Sequence, residues 1–183
     1  MIDIAQNDLE PVITLKRTPE AASPTVTAAE FRDAMSSLGA SVNIITSAFA
    51  GNRVGFTATA VCSVSDEPAT LLFCVNNRSS SLSTLLRSEV ANINTLRAEE
   101  SGIADVFSGR TEITAAERFS FGDWQSTSNG CPILTSALVS FECRIIEAKL
   151  INTHLVFFAS VVGVQRAQPG AALIYHGRSY KTA

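Results

Sequence analysis

Small hydroxyl-bearing residues crowd one stretch of this chain. Gly55-Phe56-Thr57-Ala58-Thr59-Ala60-Val61-Cys62-Ser63-Val64-Ser65 sets Thr57, Thr59 and Ser63 at alternate positions, the spacing that shares one face of an extended strand. With small neighbours such as Ala58 between them, that face offers donors and acceptors with little bulk. A flat heteroaromatic ring needs such a floor, because its face seeks close contact and its edge seeks hydrogen bonds. Thr and Ser are also ordinary on half-exposed strands, so the stretch by itself fixes no ligand. A second segment, Asn76-Asn77-Arg78-Ser79-Ser80-Ser81-Leu82, ends a strand and opens a helix. Free amides and the dipole at a helix N-terminus suit an anion, and the hydroxyls of Ser79, Ser80 and Ser81 add donors. A phosphate is a natural guest there, although a serine also caps a helix without any ligand. The ring-binding strand upstream tips the reading toward phosphate.

Two further groups are weaker signals. His154 opens the apolar run His-Leu-Val-Phe-Phe, where a lone histidine is more often structural. Tyr175-His176-Gly177-Arg178-Ser179-Tyr180 gathers aromatic and cationic groups around a glycine turn, which spacing alone reads as an ordinary hairpin. No GxGxxG or GxxxxGK[ST] phosphate loop and no GxSxG elbow occurs. Two histidines and four scattered cysteines leave a zinc site without ligands. Reactive chemistry here would therefore belong to a bound organic cofactor. Cys62, Cys74, Cys131 and Cys143 form no CxxC pair, and read as free thiols of a reducing cytoplasm rather than disulfides.

The elements that must position these groups are mostly strands. Residues 1–26, with Pro11, Pro19 and Pro24, read as a flexible N-terminal arm. Thr27-Ala-Ala-Glu30 is a capping box, and Phe31, Ala34, Met35 and Leu38 follow at helical spacing before Gly39. Strands are expected at 41–49, 53–65, 69–75, 90–96, 137–150, 153–165, 172–175 and 178–182. Short helices are expected at 79–88, 98–107 and 114–119, and a polar loop at 122–132 carries the sole tryptophan, Trp124. Long strands joined by turns rather than crossover helices argue for an antiparallel barrel.

At 183 residues, 46% apolar and 17% charged, the chain has the composition of one globular domain. A net charge of -3 disfavours nucleic acid and acidic membrane surfaces as partners. No apolar run reaches the ~20 residues of a membrane span, and the first residues lack an export signal.

Taken in order, GFTATAVCSVS, LLFCVNNRSSSL, VANIN, FSGR at 107–110, THLVFFASV and LIYHGRSY resemble the short-chain flavin reductase family. Its members include the reductase components of two-component flavin monooxygenases, such as 4-hydroxyphenylacetate hydroxylase. The resemblance implies a mainly β fold with short helices: an antiparallel Greek-key split β-barrel of FMN-binding type over 27–183, forming a homodimer with flavin near the subunit interface. It implies that Thr57, Ala58, Thr59, Ser63 and Val64 line the isoalloxazine ring of FMN or FAD. Asn76 and Ser79 to Ser81 would hold the ribityl and phosphate end, and Phe107 would border the same pocket. His154, Tyr175 and Arg178 would position the nicotinamide or the phosphates of NADH or NADPH. The family often has Gly-Asp before this histidine, where this chain has Asn152-Thr153.

The implied reaction is hydride transfer from nicotinamide C4 to flavin N5, catalysed by stacking and orientation without an obligate acid or base. Reduced flavin would pass to a partner monooxygenase. Two alternatives stay open at this level: a flavoprotein that reduces a corrinoid during cobalamin assembly, and a flavin- or haem-binding module without turnover.

Overall fold

The computed structural model describes residues 26–183; the expected arm lies, but for its last residue, outside them. The capping box forms as the sequence predicts: Thr27 N donates to the Glu30 carboxylate at 2.8 Å, and Glu30 N donates to the Thr27 hydroxyl at 3.2 Å. Helix α1 (Ala28–Ser36) follows. Its apolar face is not buried, however: Phe31, Met35 and Leu38 are 59%, 46% and 58% exposed.

A short strand β1 (Ala40–Ser41) leads into β2 (Asn43–Phe49) and β3 (Asn52–Ala58). The β2–β3 turn uses Ala50 and Gly51, both at positive φ (50° and 81°), the backbone shape that matches the twist of a two-residue hairpin. The single strand expected over 53–65 is broken. Thr59 and Ala60 separate β3 from β4 (Val61–Asp66). Then come β5 (Ala69–Asn76), α2 (Leu82–Ser88), β6 (Val90–Thr95) and α3 (Ser101–Phe107). The expected polar loop contains a small hairpin, β7 (Trp124–Ser126) with β8 (Pro132–Leu134). Two thirteen-residue strands, β9 (Val139–Ile151) and β10 (His154–Arg166), and the hairpin β11 (Leu173–His176) with β12 (Ser179–Thr182) complete the chain.

Seven strands form one antiparallel sheet in the order β3-β2-β6-β9-β10-β5-β4. Consecutive strands β3 and β4 thus occupy opposite edges. Two linking residues span at most about 11 Å, whereas six strand spacings laid flat would need about 29 Å. The sheet must therefore roll until its edges meet at Thr59-Ala60. This is the split barrel the sequence anticipates, and the three-stranded sheet β1-β11-β12 packs beside it through Leu173, Tyr175 and Tyr180.

Two apolar cores result. The first fills the rolled sheet with Ile45, Phe73, Val75, Leu85, Ile93, Ile145 and Phe157, where Phe73 and Phe157 stack at 5.0 Å. The second lies outside the sheet and joins Val42, Ile44, Leu96, Phe107, Phe119 and Leu173. Because β2 and β6 have a core on each face, the polar alternation of β6 does not point to water. Asn94 is fully buried, accepts from Leu134 N at 3.0 Å and donates to the Ile44 carbonyl at 3.0 Å. Buried amides need such partners, and these pin the β7–β8 hairpin to the barrel wall.

Candidate functional site

The end of β3 alternates between the two cores. Phe56 and Ala58 pack on the first. Gly55 faces the second, where an added Cβ would stand 2.7 Å from the Phe107 ring, so only glycine lets α3 approach this closely. Thr57 turns the same way, and its hydroxyl donates to the Ala104 carbonyl of α3 at 2.6 Å. Thr57, Ala58 and Thr59 form a ridge with a cavity on either side.

The larger cavity, ≈ 260 Å³, has Phe56, the Thr57–Ala60 ridge, Cys74 and Val75 as its floor and walls, with Asn76, Ser79 and His154 at its far end. Sheet register explains that far end. Asn76 and His154 are directly paired across β5 and β10, and Asn77 N donates to the Thr153 carbonyl at 2.9 Å. The Asn76 side-chain oxygen accepts from Arg78 N at 2.9 Å, which leaves its Nδ2 hydrogens free. Ser79 Oγ accepts from Ser81 N at 3.3 Å, which leaves its own proton free. His154 Nδ1 lies 2.9 Å from the Thr153 hydroxyl, so Nε2 is the nitrogen left for a ligand. The Cys74 thiol is held above its ordinary pKa, first by burial and then by Cys62, and presents a neutral wall. These groups can hold a flat ring by its edge and an anionic tail by an amide and a hydroxyl.

The smaller cavity, ≈ 200 Å³, shares the Thr57–Thr59 ridge and is closed by Val42, Ser108, Arg110, Tyr175 and Tyr180. The two tyrosines face each other across β11 and β12, edge to face at 5.7 Å. The Tyr180 hydroxyl donates to Asp105 Oδ1 at 3.2 Å. Burial, then the Asp105 charge and that bond, push its pKa up to about 12, against a smaller opposing pull from Arg110.

Of the residues expected in one site, Thr57, Ala58, Thr59, Asn76, Ser79 and His154 line the larger cavity and Tyr175 the smaller. Six do not. Ser63 and Val64 sit beyond the break at Thr59-Ala60, on the far edge strand with a bulge between Ser63 and Ser65, so strand alternation does not carry through to them. Ser80 is exposed, and Ser81 is buried at the N-terminal cap of α2. Phe107 is fully buried among Phe119 and Trp124 and supports the ridge from behind. Arg178 holds Asp33 of α1 at 2.6 Å. Arg110, which the FSGR segment carries three residues beyond Phe107, lines the smaller cavity instead. Tyr180 was legible as the hairpin partner of Tyr175; Ser108, Cys74 and Ala60 carried no separate signal. Among the described residues no cluster of His, Cys, Asp and Glu could hold a metal ion.

Residues 35–183 match the flavin reductase like domain. The chain is 42% identical over 160 residues to the FMN reductase (NADH) RutF of Ancylobacter novellus, covering 87% of each protein. It is 44% identical over 154 residues to that of Klebsiella pneumoniae, covering 84% of this chain and 93% of the relative. Among solved structures, a presumed flavin reductase of Haemophilus somnus superposes with a TM-score of 0.83 at 35% identity, covering 86% of this chain and all of the other. The flavin reductase component of a bacterial two-component tryptophan halogenase, at 24% identity and a TM-score of 0.79 over 85% of this chain and 98% of its own, shares the fold.

Proposed function

The chain belongs to the flavin reductase like domain family, and from that premise we propose that it is an NADH-dependent flavin reductase acting on FMN or FAD in the larger cavity. One observation carries the reading: a floor of small residues, Thr57 to Ala60, ends in the free donors of Asn76 and Ser79. The residues fit a flavin: Thr57 to Ala60 give the cavity a stretch of small side chains, and its far end carries the free donors of Asn76 and Ser79. A bound flavin supplies the hydride acceptor. The chain's own part is positional. Ala58 and Ala60 admit the ring, Thr59 offers it an unshared hydroxyl, and Asn76 with Ser79 holds the phosphate end. His154 offers Nε2 to the nicotinamide, and the protonated Cys74 adds no competing nucleophile. Holding two rings in contact converts a two-molecule encounter into an oriented one.

Thr59, Ala60, Asn76 and His154 are exposed, so the cavity rim is open and flavin exchanges with solvent. That supports delivery of reduced flavin to a partner monooxygenase rather than permanent retention. Anaerobic addition of NADH should bleach flavin absorbance in the presence of the protein; unchanged absorbance would leave only a binding module. Turnover with a corrinoid but not with free flavin would instead favour the corrinoid reductase reading.

The exposed apolar face of α1 and the exposed Ile146, Val162 and Val164 of β9 and β10 support a homodimer, since patches of this kind mark interfaces. Sedimentation equilibrium should give twice the chain mass, and a single-chain mass would remove the dimer. No helix among the described residues is long and apolar enough to cross a membrane, and the four free cysteines support a cytoplasmic setting, which cell fractionation checks.

A further inference from the structure

Cys62 has no part in the flavin site as described, yet the sheet sets it beside that site. Leu71, Phe73 and Val75 of β5 belong to the first core, so Leu72 and Cys74, at the alternate positions, face outward. Cys62 of β4 pairs directly with Leu72 and therefore shares that outer face. Cys74, two residues along β5 from Leu72, is its diagonal neighbour. Cys62 is also one of the two causes that raise the Cys74 pKa, as only a close neighbour can be. Cys62 is exposed and Cys74 is half-buried in the cavity wall, whereas Cys131 and Cys143 are buried. The Cys74 amide donates to the Ala60 carbonyl at 3.2 Å, so this wall is fastened to the break at which the cavity floor ends.

Diagonal neighbours in an antiparallel pair stand about 7–8 Å apart at Cα, and a disulfide takes about 4.4–6.8 Å. Joining the two sulfurs therefore needs β4 to slide by on the order of 1 Å. β4 can give. It is an edge strand, it is joined to β3 by the irregular Thr59-Ala60, and its pairing is bulged between Ser63 and Ser65. Any such slide pulls on Ala60 and shifts the floor on which the ring lies. Resting on the flavin reductase reading, we propose that Cys62 and Cys74 are a peroxide-sensitive dithiol whose disulfide shuts the flavin cavity. The oxidant is hydrogen peroxide, which forms when reduced flavin that no partner captures passes two electrons and two protons to dioxygen. The Cys62 thiolate attacks one peroxide oxygen, the O–O bond breaks, and the departing hydroxide takes up a proton to become water. Cys74 then attacks the sulfenic sulfur. The S–S bond forms, the S–O bond breaks, and the hydroxide released takes the Cys74 proton as a second water. The thiol pair is oxidised by two electrons, and the peroxide is reduced to two waters. The disulfide and a bound flavin exclude one another, so wasted reduced flavin switches off its own supply.

The test treats reduced wild-type protein with hydrogen peroxide in slight excess, then measures intact mass, thiol alkylation and FMN affinity by fluorescence titration. Three results together support the pair: a mass lower by two hydrogens, a Cys62–Cys74 cross-linked peptide, and an FMN Kd raised about tenfold to a hundredfold. Dithiothreitol restores all three. By reciprocity, saturating FMN disfavours the disulfide by the same factor in a thiol–disulfide buffer. Cys62→Ser should keep its FMN affinity through the peroxide treatment. Cys74→Ser should stop at a Cys62 sulfenic acid, which dimedone traps. A peroxide-treated wild type without the cross-link overturns the proposal, as does a link that joins two chains through Cys62. A Cys62–Cys74 disulfide that leaves the FMN Kd unchanged overturns it as well. A wild type that binds FMN but does not oxidise NADH fails the enzymatic reading instead, while the cross-link and the FMN Kd still decide the dithiol.

Discussion

The two cavities share three residues and differ in almost everything else. The larger leans on the first core, and its donors are an amide, a serine and an imidazole, set by the pairing of β5 with β10. The smaller leans on the second core, and most of its hydroxyls are spent on α3, leaving an arginine beside two tyrosines. One strand end can serve two different binding environments because alternate residues of β3 face opposite cores. The ridge is the boundary between them, and its position depends on both.

The strongest way to break this contrast is to remove the support behind one side. Phe107 is fully buried and fills the space that Gly55 leaves open. Phe107→Ala should cost about 3–5 kcal/mol, read as a thermal midpoint lowered by roughly ten degrees or more. A loss below about 1 kcal/mol would mean that the second core does not hold the ridge. In the fraction that stays folded, the KM for NADH should rise more than the flavin Kd.

Single donors of the larger cavity offer a sharper and smaller effect. Ser79→Ala should raise the flavin Kd about tenfold by removing a hydrogen bond to a charged phosphate, measured by fluorescence quenching, with little change in the KM for NADH at saturating flavin. His154→Ala should show the opposite balance, a raised KM for NADH exceeding any loss of flavin affinity. A reversed pattern would take His154 away from the nicotinamide.

Alkaline stability separates the cores themselves, with the least effect near neutral pH. Burial pushes the Cys143 thiol of the first core from 9.0 up to about 12, and Tyr180 beside the second core rises from 10.0 to about 12. Both folded values exceed the unfolded ones, so the stability they contribute is complete below the unfolded pKa and is lost as pH rises through the interval. Denaturant midpoints should fall from about pH 9 upward. Cys143→Ala should flatten the fall from about pH 9, with a remainder from Cys131, itself raised to about 11. Tyr180→Phe should flatten it only above pH 10. Midpoints that stay level from pH 9 to 11 would contradict the burial of these groups.

The strands, their turns and the capping box of α1 were legible in the sequence because each depends on neighbours a few residues apart. Thr27 finds Glu30 within one helical turn, and β-branched or apolar runs bounded by turn residues mark β2, β5, β9 and β10 wherever they end up. The segments that line the larger cavity were legible for the same reason: Thr57 to Thr59 and Asn76 to Ser79 are contiguous. What local pattern could not give was the break at Thr59-Ala60, which carries no glycine or proline. The rolling of a seven-stranded sheet imposes it, and with it the separation of Ser63 and Val64 from the lining of the two cavities.

The same limit decided the arginines. Arg110 and Arg178 both stand beside aromatic residues in the sequence, and nothing local tells them apart. Asp33, 145 positions away, captures Arg178, while the turn after α3 aims Arg110 into a cavity that Val42 and the last hairpin close. Sequence set which residue types exist and how short segments bend. Tertiary structure set which of their donors remain unspent, because a hydrogen-bonding group is free only after every partner the fold brings near has been counted.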